Sequence, residues 1–164
     1  MVKVEELNAL EPEEFTHLLG PLFEHSPWVA ARTAAKRPFS DRDELHAALC
    51  ETVMKASHDE KLALIRAHPD LVGREVLTRE SRTEQTNAGL GQLSVEEIER
   101  FGEYNARYRE KFGFPFVICA RLNKKQAILD TFFIRLQNSH EQEVETASRE
   151  IFKIAQLRLQ DLVG

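Results

Sequence analysis

Helix-start punctuation constrains this chain more than any other feature. Serine followed three residues later by glutamate, the spacing of a capping box, occurs at Ser57–Glu60, Ser81–Glu84 and Ser94–Glu97. In such a pair the hydroxyl and the carboxylate each accept from a backbone N–H that the first turn of a helix leaves without an acceptor. Ser26-Pro27 reads as an N-cap followed by proline at the first helical position, and Ser40 caps a further helix. Pro12 suits the first turn of a segment carrying Phe15, Leu18 and Leu19, which Gly20-Pro21 closes. Behind these starts, apolar residues recur at the 3.6-residue period that gives a helix one buried face. Leu45, Ala48, Leu49, Thr52, Val53 and Ala56 do so after Ser40, and Leu62, Leu64 and Ile65 after Ser57. Val95, Ile98, Phe101, Tyr108 and Phe112 line a long helix that ends at Gly113. Asn123 and Gln126 open the next, with Leu129, Phe132, Phe133 and Leu136 inward, and Ser139 precedes a last helix running almost to the C-terminus. The strand-like stretches Phe114 to Ala120 and Val72 to Leu77 are too short and isolated to build a sheet. The expected fold is all-α, a single domain over residues 1–164 made of about eight helices.

Composition narrows the partners. The formal charge of -5 is spread along the sequence without a clustered Lys/Arg face, which argues against nucleic acid. No apolar run approaches the roughly 20 residues that span a bilayer, and early Glu5 and Glu6 are unlike a signal peptide. The C-terminal Leu162-Val163-Gly164 is not a Ser-Lys-Leu address, so a cytoplasmic location without a membrane partner is expected. Cys50 lies in a helical pattern and Cys119 in the apolar run Phe116-Val117-Ile118-Cys119-Ala120, so both read as buried, reduced thiols. The six histidines include no His-Glu-x-x-His pair and no Cys/His zinc spacing, so no metal site is expected. Neither a Gly-rich phosphate loop nor a serine nucleophile elbow occurs, which leaves proton transfer and electrostatic binding as the accessible chemistry.

Three polar groups stand where a core or a turn does not require them. His68 ends the helix begun at Ser57, and Pro69 pushes its backbone toward an extended conformation that fixes where the imidazole points. A fixed imidazole suits acid/base work; a histidine there equally satisfies the last carbonyls of the helix. The second group is Ser81-Arg82-Thr83-Glu84-Gln85. Its spacing fits a plain helix cap, but Thr86, Asn87, Ala88, Gly89 and Gly91 behind it offer little to bury, as in a helix that lines a polar pocket. The third is Arg158, which falls inside the apolar stripe of the last helix with Val144, Ala147, Ile151, Ile154, Ala155 and Leu162. A guanidinium there pairs with an internal carboxylate, snorkels outward, or binds a ligand carboxylate through its planar fork.

The chain resembles the 2-oxo-4-hydroxy-4-carboxy-5-ureidoimidazoline decarboxylases of urate breakdown over nearly its whole length. The resemblance is carried by Phe23-Glu24-His25-Ser26-Pro27-Trp28-Val29-Ala30, Ala67-His68-Pro69-Asp70-Leu71, Ser81 through Gln85 with Ala88-Gly89-Leu90, Tyr104-x-x-Arg107-Tyr108, Lys111-Phe112-Gly113-Phe114-Pro115-Phe116 and Leu157-Arg158-Leu159. It implies an all-helical fold, a homodimer and catalysis without metal or organic cofactor. It implies that His68 and Glu84 are catalytic. It further implies that a small-molecule substrate is bound by Pro69, Ser81, Gln85, Arg158 and main-chain groups at Ile118 and Ala120. Two competitors stay open at this point: a helical binding module in which these residues are caps and an internal ion pair, and a related decarboxylase acting on another small ureido acid.

Overall fold

In a computed structural model that describes residues 1–73 and 77–164, the described residues contain nine α-helices and no strand. The helices are α1 (Val4–Ala9), α2 (Pro12–Leu19), α3 (Trp28–Thr33), α4 (Arg42–Met54), α5 (His58–Arg66), α6 (Arg79–Asn87), α7 (Val95–Phe112), α8 (Lys125–Arg135) and α9 (His140–Leu162). Single 3-10 turns lie at Gly20–Leu22, Ala34–Lys36 and Ala120–Leu122. None is an apolar helix long enough to cross a membrane. The capping boxes at Ser57–Glu60 and Ser94–Glu97 form as the spacing predicts, and Gly113 ends α7 in the left-handed region at φ 77°. The Phe114 to Ala120 stretch is not paired as a strand, while the second strand-like stretch, Val72 to Leu77, falls partly on residues 74–76, outside the described residues.

Several starts differ from the expectation by a residue or more. Asp41, not Ser40, caps α4: its carboxylate reaches the Glu44 N–H at 2.8 Å, and the Glu44 carboxylate takes the Ser40 N–H in turn. Ser26 does not cap α3, because its hydroxyl donates to the Glu24 carbonyl at 2.7 Å. Lys124 precedes α8 without a side-chain cap, since the Asn123 amide donates instead to the Cys119 carbonyl at 3.0 Å. Val95, Ile98 and Phe133 are exposed, which departs from the apolar pattern. The buried stripe of α8 is Ile128, Leu129, Phe132 and Arg135, so a guanidinium takes the place that an apolar reading gives to its neighbours.

Two compact units divide the chain, one of Met1–Ala67 with Phe152–Gly164 and the other of His68–Ile151. The first is centred on Leu7, Phe15, Leu19, Val29, Leu45, Leu49, Leu64 and Ile65. Its two chain ends meet in an isolated parallel bridge, Val2 with Val163, where the Val2 N–H donates to Leu162 at 3.1 Å and the Gly164 N–H to Val2 at 2.9 Å. An aromatic cluster forms the core of the second. Phe116 stacks on Phe132 with centroids 3.7 Å apart, and Tyr108 meets Phe116 edge-on at 5.3 Å. That cluster surrounds buried charge. The Tyr108 hydroxyl donates to Glu143 Oε1 at 2.5 Å, Arg135 Nε donates to the same oxygen at 2.7 Å, and the Asn138 amide donates to Glu143 Oε2 at 2.9 Å. Burial, above all other causes, pushes the Tyr108 phenol above its ordinary range, so it stays a hydrogen-bond donor throughout the working pH range.

Candidate active site

The second unit carries most of the polar groups singled out in the sequence. α5 ends at Arg66, Ala67 caps it, and buried His68 is the next residue, where Pro69 cannot continue the helix. The loop after it is pinned from two helices. The Asn105 amide of α7 donates to the Leu71 carbonyl at 2.8 Å, and Arg109, one turn further along α7, donates through Nε to the Asp70 carboxylate at 2.9 Å. From α6, Gln85 Oε1 accepts the Val72 N–H at 3.3 Å. Val72 has φ 56°, a left-handed conformation that a β-branched residue adopts only under external constraint, and these bonds supply that constraint.

α6 reverses the ordinary helical pattern. Thr78, not Ser81, is its N-cap: Thr78 Oγ1 accepts the Ser81 N–H at 3.1 Å. The plain-cap explanation of Ser81 and Glu84 therefore fails, because both lie inside the helix. Ser81, Glu84 and Gln85 stand at i, i+3 and i+4, and they are the buried residues of α6. A buried helix face made of a hydroxyl, a carboxylate and an amide is costly as packing and suited to hydrogen-bonding a polar ligand.

Opposite chemistry comes from the main chain of 116–120. α6 packs against the 3-10 turn that begins at Ala120. The Cys119 N–H donates to Glu150 Oε1 of α9 at 3.1 Å, whereas the N–H groups of Ile118 and Ala120 on either side have no acceptor among the described residues. Both residues are buried. Cys119 is extended, with φ -72° and ψ 94°, which turns the N–H groups before and after it away from the one that Glu150 holds. Two main-chain donors on buried residues, without acceptors among the described residues, suit a ligand oxygen. Burial is the largest cause raising the Cys119 thiol above its ordinary range, and the Glu150 and Glu84 carboxylates add to it. A thiol raised in this way is disfavoured as a thiolate nucleophile. A cleft of about 350 Å³ opens beside Ala120, bordered by Asn87, Arg121, Asn123 and Lys124. Among the described residues no group of three or more His, Cys, Asp or Glu side chains is placed to hold a metal ion.

Arg158 belongs to the first unit and is buried in the stripe where the helical period puts it. It donates through one terminal nitrogen to Glu24 Oε1 at 2.8 Å and through the other to the Pro21 carbonyl at 3.0 Å. Two of the sequence segments quoted above, the one around Glu24 and the one around Arg158, are therefore joined by a buried ion pair. Glu24, Asn105, Arg135, Glu143 and Glu150 were not legible as functional candidates. The only signal for Glu143 and Glu150 was an acidic residue at an apolar register of the last helix, and for Asn105 an amide between Phe101 and Tyr108 on one helix face; Glu24, in a turn, had no periodic signal.

Comparison with known proteins adds to this geometry. The family model described as OHCU decarboxylase matches residues 8–160. A 2-oxo-4-hydroxy-4-carboxy-5-ureidoimidazoline decarboxylase from Halalkalicoccus jeotgali is 42% identical over 159 residues, covering 97% of this chain and 90% of that protein. The uric acid degradation bifunctional protein of Bacillus sp. (strain TB-90) is 43% identical over 162 residues, covering 99% of this chain and 32% of that one, so the chain spans about a third of that relative. The crystal structure of (S)-allantoin synthase superposes with a TM-score of 0.84 at 32% identity, covering 100% of this chain and 54% of the other.

Proposed function

The chain belongs to the OHCU decarboxylase family and is a carboxy-lyase that converts 2-oxo-4-hydroxy-4-carboxy-5-ureidoimidazoline to (S)-allantoin in urate degradation, and we propose that His68 is the acid/base group of that reaction. The observation that carries the proposal is the buried polar face of α6, whose Gln85 is bonded to the same loop that presents His68.

The chemistry needs no more than such groups. Carbon dioxide leaves the ring carbon that also bears the hydroxyl, and the electrons of the broken bond pass into the neighbouring carbon–nitrogen double bond. An enol results. Removal of the hydroxyl proton and delivery of a proton to the adjacent ureido-bearing carbon then give the ring carbonyl and the new stereocentre. Because the substrate holds its own electron sink, the protein's task is placement, proton transfer and stabilisation of charge that moves onto the ring. His68 takes the hydroxyl proton in this proposal, and Glu84 orients His68 or the ureido nitrogens. Pro69 closes the substrate pocket beside His68, Ser81 and Gln85 hydrogen-bond ring or ureido groups, and the Ile118 and Ala120 N–H groups donate to a ring oxygen. Arg158, fixed by Glu24 and the Pro21 carbonyl, binds a substrate oxygen through its fork. The protein acts as a cytoplasmic homodimer in which residues 1–164 form one catalytic domain.

The direct test supplies freshly generated 5-hydroxyisourate with the preceding hydrolase and follows optical activity. Faster appearance of (S)-allantoin than the spontaneous, racemic background is expected; a rate no greater than background would sink the reading, and turnover of other ureido acids at equal rate would shift its substrate. Arg158→Lys is expected to raise KM by about tenfold with a smaller change in kcat, since lysine keeps the charge and loses the two-pronged geometry. An unchanged KM with a lowered melting temperature would assign Arg158 to Glu24 alone.

A further inference from the structure

Two buried ionic side chains from other helices hold the main-chain segment that offers the Ile118 and Ala120 N–H groups, beside the Asn123 amide and the Leu122 N–H, which donate to the Cys119 carbonyl from the same turn. Arg135 NH1 of α8 donates to the Val117 carbonyl at 2.7 Å, and Glu150 Oε1 of α9 accepts the Cys119 N–H at 3.1 Å. Ile118 lies between the two. The Arg135 guanidinium also sits 4.2 Å from the Phe116 ring centroid and pairs with Glu143, so it cannot swing away without breaking three contacts. Each of these groups sets a buried ionic side chain against a neutral peptide, where a plain turn would be satisfied by a neighbouring carbonyl or a solvent-facing hydroxyl at less cost.

We propose that Glu150 and Arg135 are positioning residues of the decarboxylase, a clamp from two helices that holds the 117–119 backbone so that the Ile118 and Ala120 N–H groups face the substrate. The proposal rests on the reading of those N–H groups as substrate donors. Its logic is geometric. A rotation of the peptide that carries the Cys119 N–H would displace the neighbouring donors, and donors aimed at developing charge lose their effect when displaced by a fraction of an ångström to an ångström. Glu150 prevents that rotation by reach, not by charge. An amide oxygen at the same distance would serve as well, and a carboxylate one methylene shorter would not.

The contrast between Glu150→Gln and Glu150→Asp tests this. Glu150→Gln keeps the acceptor in place without the charge and is expected to retain kcat/KM within about threefold; Glu150→Asp keeps the charge, withdraws the acceptor and is expected to lose about tenfold or more, mainly in kcat. Backbone amide resonances read the geometry separately. With (S)-allantoin as the probe, the Ile118 and Ala120 amides should shift in the wild type and in Glu150→Gln, and shift much less in Glu150→Asp. The reverse order of the two variants, or Glu150→Asp matching the wild type in both readouts, overturns the clamp. Wild-type amides that ignore allantoin in an active enzyme overturn the donor reading instead, and absent turnover in the wild type overturns the decarboxylase reading itself.

Discussion

His68→Ala is expected to lower turnover by about 10²- to 10⁴-fold, the range for removing a positioned general acid/base group, while far-UV circular dichroism and cooperative melting are kept. The second half of that expectation comes from how the loop is held. The Asn105 amide grips the Leu71 carbonyl, Arg109 the Asp70 carboxylate and Gln85 the Val72 N–H, and none of these bonds involves the imidazole. α5 is capped at its start by Ser57 and Glu60 and closed by backbone bonds from Ala67, which hold its end through the main chain. Truncation therefore removes the proton-transfer group and leaves the loop that carried it. Steady-state rates with freshly generated substrate, set beside the melting curve, decide the matter. Retained turnover would remove His68 from the mechanism, and a collapsed melt would mean that the imidazole supports the fold.

The fold was legible where helix signals are local. A capping box needs two residues three apart, and a left-handed glycine needs only its own missing Cβ, so Ser57–Glu60, Ser94–Glu97 and Gly113 could be read from sequence without tertiary context. Side-chain direction was less legible. Phe133 and Phe132 are adjacent, and only packing decides which turns inward; Phe132 stacks on Phe116, and the helical period then carries Phe133 to the surface. Among the site residues, Arg158 was conspicuous as a charge on an apolar stripe, and α6 as a helix with nothing greasy to bury. Glu143 and Glu150 escaped because their reason for burial lies on other elements: Tyr108 and the Cys119 peptide are more than 30 residues away, Arg135 sits on the preceding helix, and no spacing rule announces them. Whether His68 is structural or chemical was equally beyond local reading. Helix-end geometry serves both, and family membership favours the second.

Glu143→Leu carries the largest expected cost to stability, about 3–5 kcal/mol, the range for breaking a buried ion pair by removing one partner. The Glu143 side chain is 0% exposed and that of Arg135 5%, so neither charge has water to fall back on. Without Glu143, Arg135 would keep the Val117 carbonyl but lose its counter-charge, and both the Tyr108 hydroxyl and the Asn138 amide would lose their acceptor. For a chain of this length that loss corresponds to a melting temperature lower by roughly 6–20 °C. The double variant Arg135→Met with Glu143→Leu should recover part of the stability, because a matched apolar pair avoids leaving one charge stranded. It should not recover full turnover, since nothing then grips the Val117 carbonyl beside the Ile118 donor. Denaturant melts and rates measured on the same samples separate these effects. A single variant that melts with the wild type would show that the pair contributes nothing to stability, and a double variant restored in both stability and rate would show that Arg135 serves the core alone.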